Sequence, residues 1–352
     1  MATQHTSLAT KYRPHDWDTV CGQRSVLQIL KHQVDSETFK QAYLMAGRYG
    51  SGKTTVSRIL AQSINGGNKD IVEIDAASHN GVEHARALGE EARRAPLAGR
   101  FRIFIIDECH LISAAAWGAW LKILEEPPAS AIFIFATTDP QKIPNTILSR
   151  VQRYTFTNIP LDQVQSRLRW IAQQEGWNVV DEPISSQDKA ISSEAINYIA
   201  KLAEGGMRDA IASMDKCMSL SCQVDLAAVT NILAVVGYAD HLALMNALVE
   251  RDTTRCVQII ANAYNQGKDL KQFMSQFMWA VCDTCNYFVF QSFAYINIPE
   301  LPEYKSEMVK HTLDEYLSVL EWAKQLNADI RTDSAPKNNI LVGVMLWCQG
   351  QK

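Results

Sequence analysis

Eight residues, Gly47-Arg48-Tyr49-Gly50-Ser51-Gly52-Lys53-Thr54, follow the pattern G-x-x-x-x-G-K-[S/T]. Such a loop is suited to holding phosphate. Its glycines let backbone N–H groups approach phosphate oxygens, and a helix starting at its end adds the positive pole of its dipole. In that frame Tyr49, Gly50, Ser51, Gly52, Lys53, Thr54 and Thr55 surround the phosphates of a nucleotide. Lys53 is expected at the β- and γ-phosphates, and the Thr54 hydroxyl is a Mg²⁺ ligand. A Gly-rich turn can match by chance. The context favours a phosphate loop, with the apolar run Ala42-Tyr43-Leu44-Met45-Ala46 before it and the helical start Thr55-Val56-Ser57 after it.

Two further strand ends carry chemistry. Ile103-Phe104-Ile105-Ile106-Asp107-Glu108 is an apolar strand closing on two carboxylates. Downstream of a phosphate loop, Asp107 can complete a Mg²⁺ shell and Glu108 can orient and deprotonate the water that attacks a γ-phosphate. Hydrolysis needs both roles. Phe135-Ala136-Thr137-Thr138-Asp139-Pro140 is the next strand end, where either threonine could sense the γ-phosphate or simply cap the strand. Spacing does not choose between Thr137 and Thr138.

These residues need a scaffold, and the sequence predicts one. Residues 42–46, 71–75, 102–107 and 131–137 are short apolar runs separated by helical patterns. That alternation indicates a parallel sheet covered by helices on both faces, so residues 1–160 read as an α/β nucleotide-binding domain. Beyond Pro160 strand-like runs stop. Ile196, Ile199, Ala200 and Ala203 form one helical stripe ending at Gly205-Gly206, and Met207, Ala210, Ile211 and Met214 begin another. Residues 161–224 are thus expected to be a small helical lid domain. Residues 225–352 are expected to be all-α, with helices near 239–251, 253–266, 268–295, 303–327 and 336–350.

Bulk properties narrow the class. The 352 residues, 47% hydrophobic and 20% charged, describe a folded chain too long for one core. The net charge of −4 argues against a generally basic nucleic-acid coat, yet residues 1–160 carry 18 Lys+Arg against 15 Asp+Glu. A phosphate-binding face therefore belongs in the first half. Among eight cysteines, Cys282 and Cys285 form a lone CxxC without a second pair at zinc spacing, and both read as core thiols. Met1–Thr10 has no apolar h-region, and the aromatic stretch Phe273–Ile298 is interrupted by Gln276, Asp283, Asn286 and Gln291. No signal peptide, no membrane span and a cytoplasmic location are expected.

The motifs in order, together with Tyr12-Arg13-Pro14, Ile74-Asp75-Ala76-Ala77-Ser78, Leu124-Glu125-Glu126-Pro127-Pro128, Leu148-Ser149-Arg150 and Gly206-Met207-Arg208-Asp209, resemble the gamma/tau subunits of bacterial DNA polymerase III. These are AAA+ ATPases of the clamp loader. The similarity is dense from Tyr12 to about Ser219. It implies an AAA+ P-loop domain, a lid and an all-α collar that holds an oligomer together. It also implies an ATPase motor subunit that uses ATP and Mg²⁺ to open a ring-shaped sliding clamp and load it on primer-template DNA during replication. Implied partners are other clamp-loader subunits in a pentamer with several copies of this chain, the clamp and the DNA, with no membrane.

By the same resemblance Arg13, Pro14 and Val20 line the adenine pocket, Thr138 is sensor 1 and Arg208 is the sensor 2 arginine reaching the γ-phosphate from the lid. Arg150 is the arginine finger acting on ATP held by an adjacent subunit. Three departures stand out. A four-cysteine zinc module is replaced by Ala61–Asp70 without cysteine, so no zinc is expected. Val151 follows the finger where a cysteine is usual. His79-Asn80-Gly81 stands where basic DNA-contacting residues are expected, leaving Lys122 and helix N-termini as candidate phosphate contacts. Two other readings compete: a non-hydrolysing scaffold resembling the delta-prime subunit, disfavoured by the complete set Lys53, Thr54, Asp107 and Glu108, and another AAA+ DNA remodeller such as a Holliday-junction motor, which should carry a basic C-terminal module.

Overall fold

The computed structural model describes residues 6–181, 189–233, 238–330 and 336–350. The first five residues of the polar N-terminus lie outside this set. The chain divides into two compact units, Met1–Asp225 and Leu226–Lys352.

The first unit is built on strands β1 (Ala42–Gly47), β2 (Ile71–Asp75), β3 (Arg102–Asp107), β4 (Ala131–Thr137) and β5 (Gln152–Phe156). They form one parallel sheet in the order β2-β3-β4-β1-β5. Around it run α1 (Leu8–Lys11), α2 (Arg24–Asp35), α3 (Lys53–Asn65), α4 (Val82–Ala92), α5 (Ala114–Glu125), α6 (Asn145–Leu148), α7 (Leu161–Gln174), α8 (Ser193–Leu202) and α9 (Met207–Leu220).

Strand periodicity explains the two cores. Ile103, Ile105, Ile132 and Ile134 face α3 and pack with Tyr43, Met45, Val56 and Leu60, while the alternate residues Phe104, Phe133 and Phe135 face the other way onto Trp117 and Trp120 of α5. Trp120 meets Phe133 and Phe135 edge-on at 5.5 and 5.2 Å between ring centroids. With apolar side chains on both faces, β1 and β4 are buried almost throughout.

The structure adds strands that apolar runs do not reveal. In β5 only Tyr154 and Phe156 are buried, because an edge strand needs one apolar face and its sequence alternates. Residues 161–224, expected to be helical, also hold a three-stranded parallel sheet: β6 (Asn178–Val180), β7 (Ala190–Ser192) and β8 (Gln223–Val224). Strands of two or three residues are too short to show a period. Where a zinc module was sought, α3 simply ends at Asn65 and a turn leads to β2. That turn is tied down by the Asp70 carboxylate, which accepts from the backbone N–H groups of Leu97, Ala98 and Gly99 at 2.9, 2.6 and 2.5 Å.

The second unit contains α10 (Leu226–Ile232), α11 (Tyr238–Val249), α12 (Thr253–Asn265), α13 (Leu270–Phe290), α14 (Pro302–Met308), α15 (Leu313–Ile330) and α16 (Pro336–Cys348). The single helix expected over 303–327 is two. Thr312 and Glu315 form a capping box that starts α15 afresh: Thr312 N–H donates to Glu315 Oε2 at 2.8 Å and Glu315 N–H to Thr312 Oγ1 at 3.4 Å. The helix expected over 268–295 stops at Phe290 and resumes as one turn over Phe293–Tyr295. Of the CxxC pair on α13, Cys285 is buried and Cys282 is exposed, which corrects the reading of both as core thiols. Among the described residues no helix is long and apolar enough to cross a membrane.

Candidate functional site

Gly47, Asp107 and Thr137 end β1, β3 and β4, so three functional strand ends meet at the carboxyl edge of one sheet, with Ala46 opposite Thr137 in register. Open α/β sheets bind ligands at this edge. A cleft there is lined by Arg13, Pro14, Val20, Tyr49, Gly50, Ser51, Gly52, Lys53, Thr54, Thr55, Asp107, Glu108 and Arg208. Thirteen positions singled out by motif or resemblance are thus brought together in this cleft.

The loop geometry follows from its glycines. Gly50 has φ +72° and Gly52 φ +99°, both left-handed, and a Cβ on Gly50 would sit 3.1 Å from the Gly206 Cα. Gly50 also accepts from Met207 N–H at 3.1 Å, so the loop is bonded to the first turn of α9. Arg208 in that turn stands over the Tyr49 ring at 5.5 Å. Lys53, the first residue of α3, is 5% exposed and donates through Nζ to Arg48 O at 2.9 Å. Burial pushes its ammonium below the ordinary lysine value, with Glu108 and Asp107 pulling back.

Lys53, Arg13, Arg167 and Arg208 line the cleft against two carboxylates, Asp107 and Glu108. Arg13 is lowered from its ordinary value first by burial and then by the charges of Arg58 and Arg208. A surplus of crowded cations suits an anion such as a polyphosphate. Arg167, Met207, Ile211 and Ile159 also line the cleft, and sequence reasoning missed them. They come from α7, α9 and a loop; Met207 lies in the Gly206-Met207-Arg208-Asp209 motif and Ile211 in the same helical stripe, but neither spacing points to the cleft.

Thr54 Oγ1 donates to Asp107 Oδ2 at 2.7 Å, a hydroxyl and a carboxylate side by side. This oxygen-only pair suits a hard cation such as Mg²⁺. Cys109 nearby is no competitor, since burial raises its thiol and keeps it protonated. Glu108 adopts φ +46° and ψ +44°, a left-handed conformation costly for a side chain of its size. Its Oε2 accepts from Thr138 Oγ1 at 3.0 Å and Thr138 N–H at 3.4 Å. Thr137 is fully buried, and its Oγ1 lies 3.2 Å from His110 Nδ1. Of the two threonines, then, Thr138 is the one that touches Glu108.

Arg150 and Lys122 lie outside this cleft. Arg150 is exposed, paired with Glu125 at 2.8 Å and donating to Thr146 O at 2.7 Å. It lines a separate shallow cleft with Lys40, Pro127 and Gln152. Lys122 is exposed in the last turn of α5.

A five-stranded parallel sheet whose carboxyl edge carries a phosphate loop, a strand-end acid pair and a helical segment bonded to that loop defines the AAA+ class of P-loop folds. Solved structures agree on the fold. The Thermotoga maritima RuvB Holliday junction branch migration motor superposes with a TM-score of 0.52 at 17% identity, over 73% of this chain and 86% of that one. In sequence, the chain is similar to DNA polymerase III subunit tau of Bacillus subtilis, 32% identical over 75% of this chain and 49% of the relative. Subunit tau of Escherichia coli is 34% identical over 74% of this chain and 42% of the relative. A family model described as DNA polymerase III, delta subunit, matches residues 68–160, and one described as Zeta toxin matches residues 25–81 around the phosphate loop. The resemblance to the gamma/tau subunits thus extends over about three quarters of the chain, and the chain spans about half the length of the curated relatives it matches.

Proposed function

We propose that the chain is an ATPase motor subunit of a DNA sliding-clamp loader, coupling ATP binding and hydrolysis to opening a ring clamp and loading it on primer-template DNA. The observation that carries this reading is the cation-rich cleft in which Lys53, the Thr54–Asp107 pair and Glu108 converge, in a chain similar to tau subunits over three quarters of its length. In this proposal Lys53 neutralises the β- and γ-phosphates and the backbone of Tyr49 to Thr55 cradles them. Pro14 and Val20 form a wall for the base. Thr54 and Asp107 would hold Mg²⁺, which when bound offsets charge on the phosphate oxygens. Glu108 takes the proton of the attacking water, Thr138 sets the Glu108 carboxylate, and Arg208 reaches the γ-phosphate from the lid.

Arg150 acts in trans on the nucleotide of a neighbouring copy, which accords with its place outside its own chain's cleft. A guanidinium supplied this way is worth about 10³–10⁵ in rate in GTPases. Residues 161–224 serve as the lid and 225–352 as the collar. The exposed Trp279, Val289, Phe290 and Tyr295 offer the collar apolar surface for neighbouring subunits in a pentamer. Lys122 is proposed to contact DNA phosphate.

The match to a delta-subunit model does not favour a non-hydrolysing scaffold, because it covers residues 68–160 and leaves out Lys53 and Thr54. The test is steady-state ATP hydrolysis by the chain with its partner subunits. Ring clamp plus primed DNA should stimulate turnover, and Lys53→Ala should abolish it. No stimulation, or turnover unaffected by Lys53→Ala, refutes the proposal.

A further inference from the structure

We infer that His110 is a positioning residue for Glu108, its Nδ1–H anchored on Thr137 and set against the carboxylate. The inference rests on the proposed ATPase reading and deepens it.

His110 Nδ1 lies 3.2 Å from Glu108 Oε2 and 3.2 Å from Thr137 Oγ1. A carboxylate oxygen only accepts, so a nitrogen this close is favourable only if it carries a proton. Nδ1 therefore carries a proton, hydrogen-bonded to Thr137 Oγ1 with the Glu108 carboxylate alongside at ion-pair distance. Thr137 Oγ1 accepts from Asp139 N–H at 3.0 Å with one lone pair, leaves the second for His110, and is fixed at the buried end of β4. The chain of contacts runs from β4 through the imidazole to the carboxylate, and every member is at least half shielded from water.

Glu108 needs this support more than an ordinary strand-end acid. Its left-handed backbone leaves the regular strand conformation of β3, so the carboxylate's position depends on what grips it. Thr138 grips it only at Oε2, so the carboxylate can still pivot about that oxygen. His110 adds a second residue at the same oxygen, and the partner oxygen stays available to a water. His110 itself does not line the cleft, so it acts on the rate through Glu108 and not on nucleotide binding.

The test compares His110→Phe, which keeps a ring but removes the donor, with His110→Asn, whose side-chain N–H can occupy the place of Nδ1–H. ATP turnover is measured in the assembly in which the wild type is active, with ATP affinity measured in parallel. His110→Phe should lower kcat roughly 10- to 100-fold with KM within about twofold, and His110→Asn should recover most of the loss. Equal losses in both variants, or none in His110→Phe, overturn the inference. Should His110→Phe fail to fold, Thr137→Val keeps the imidazole but removes its anchor: kcat should fall severalfold at unchanged KM, and an unchanged kcat overturns the inference. Wild type that binds no ATP or never turns it over refutes the ATPase reading instead.

Discussion

Lys53 combines a buried ammonium with two carboxylates close enough to oppose the effect of burial. A phosphate needs the charged form, so ATP affinity should fall as pH rises through the Lys53 value, which burial has moved below that of ordinary lysine. Folding stability has the opposite slope in the same window. Between the lowered folded value and the ordinary unfolded one, the unfolded chain holds more protons, and stability rises with pH. Calorimetric titration with ATP should show affinity weakening as pH is raised into the alkaline range, and Lys53→Arg should flatten that slope. Lys53, Thr54, Asp107 and Glu108 were legible in the sequence because each lies in a contiguous motif. His110 and Thr137 were not legible as partners. They are 27 residues apart in the chain, and only the pairing of β3 with β4 brings them together.

At the scale of elements, strands with two apolar faces stood out as continuous runs, whereas β5 hid its single apolar face in the alternation Tyr154-Thr155-Phe156. Helices were recognisable by period, but where one stopped and the next began depended on caps. Thr312-x-x-Glu315 is such a signal, passed over because apolar residues continue on both sides of it. It makes a stability prediction of its own. Thr312→Ala should cost about 1 kcal/mol, read as faster amide exchange in the first turn of α15, and unchanged exchange there would show that packing alone starts the helix.

At the scale of the molecule, the contact between the phosphate loop and α9, through Gly50 and Met207, places the proposed lid helices in the same compact unit as the sheet. A change at the nucleotide has a direct hydrogen-bonded route into α9. The separation of Arg150 from its own chain's cleft underlies the central claim, that the competent ATP site is shared between neighbouring copies. The most direct measurement is complementation between two inactive chains. Lys53→Ala keeps the finger but not the phosphate contact, and Arg150→Ala keeps the phosphate contact but not the finger. The account predicts that each alone is nearly inert in ATP turnover, and that co-assembling them restores hydrolysis where an Arg150→Ala site meets a Lys53→Ala finger. A mixture as inactive as its parts, or an Arg150→Ala chain that turns over ATP like the wild type, would contradict it.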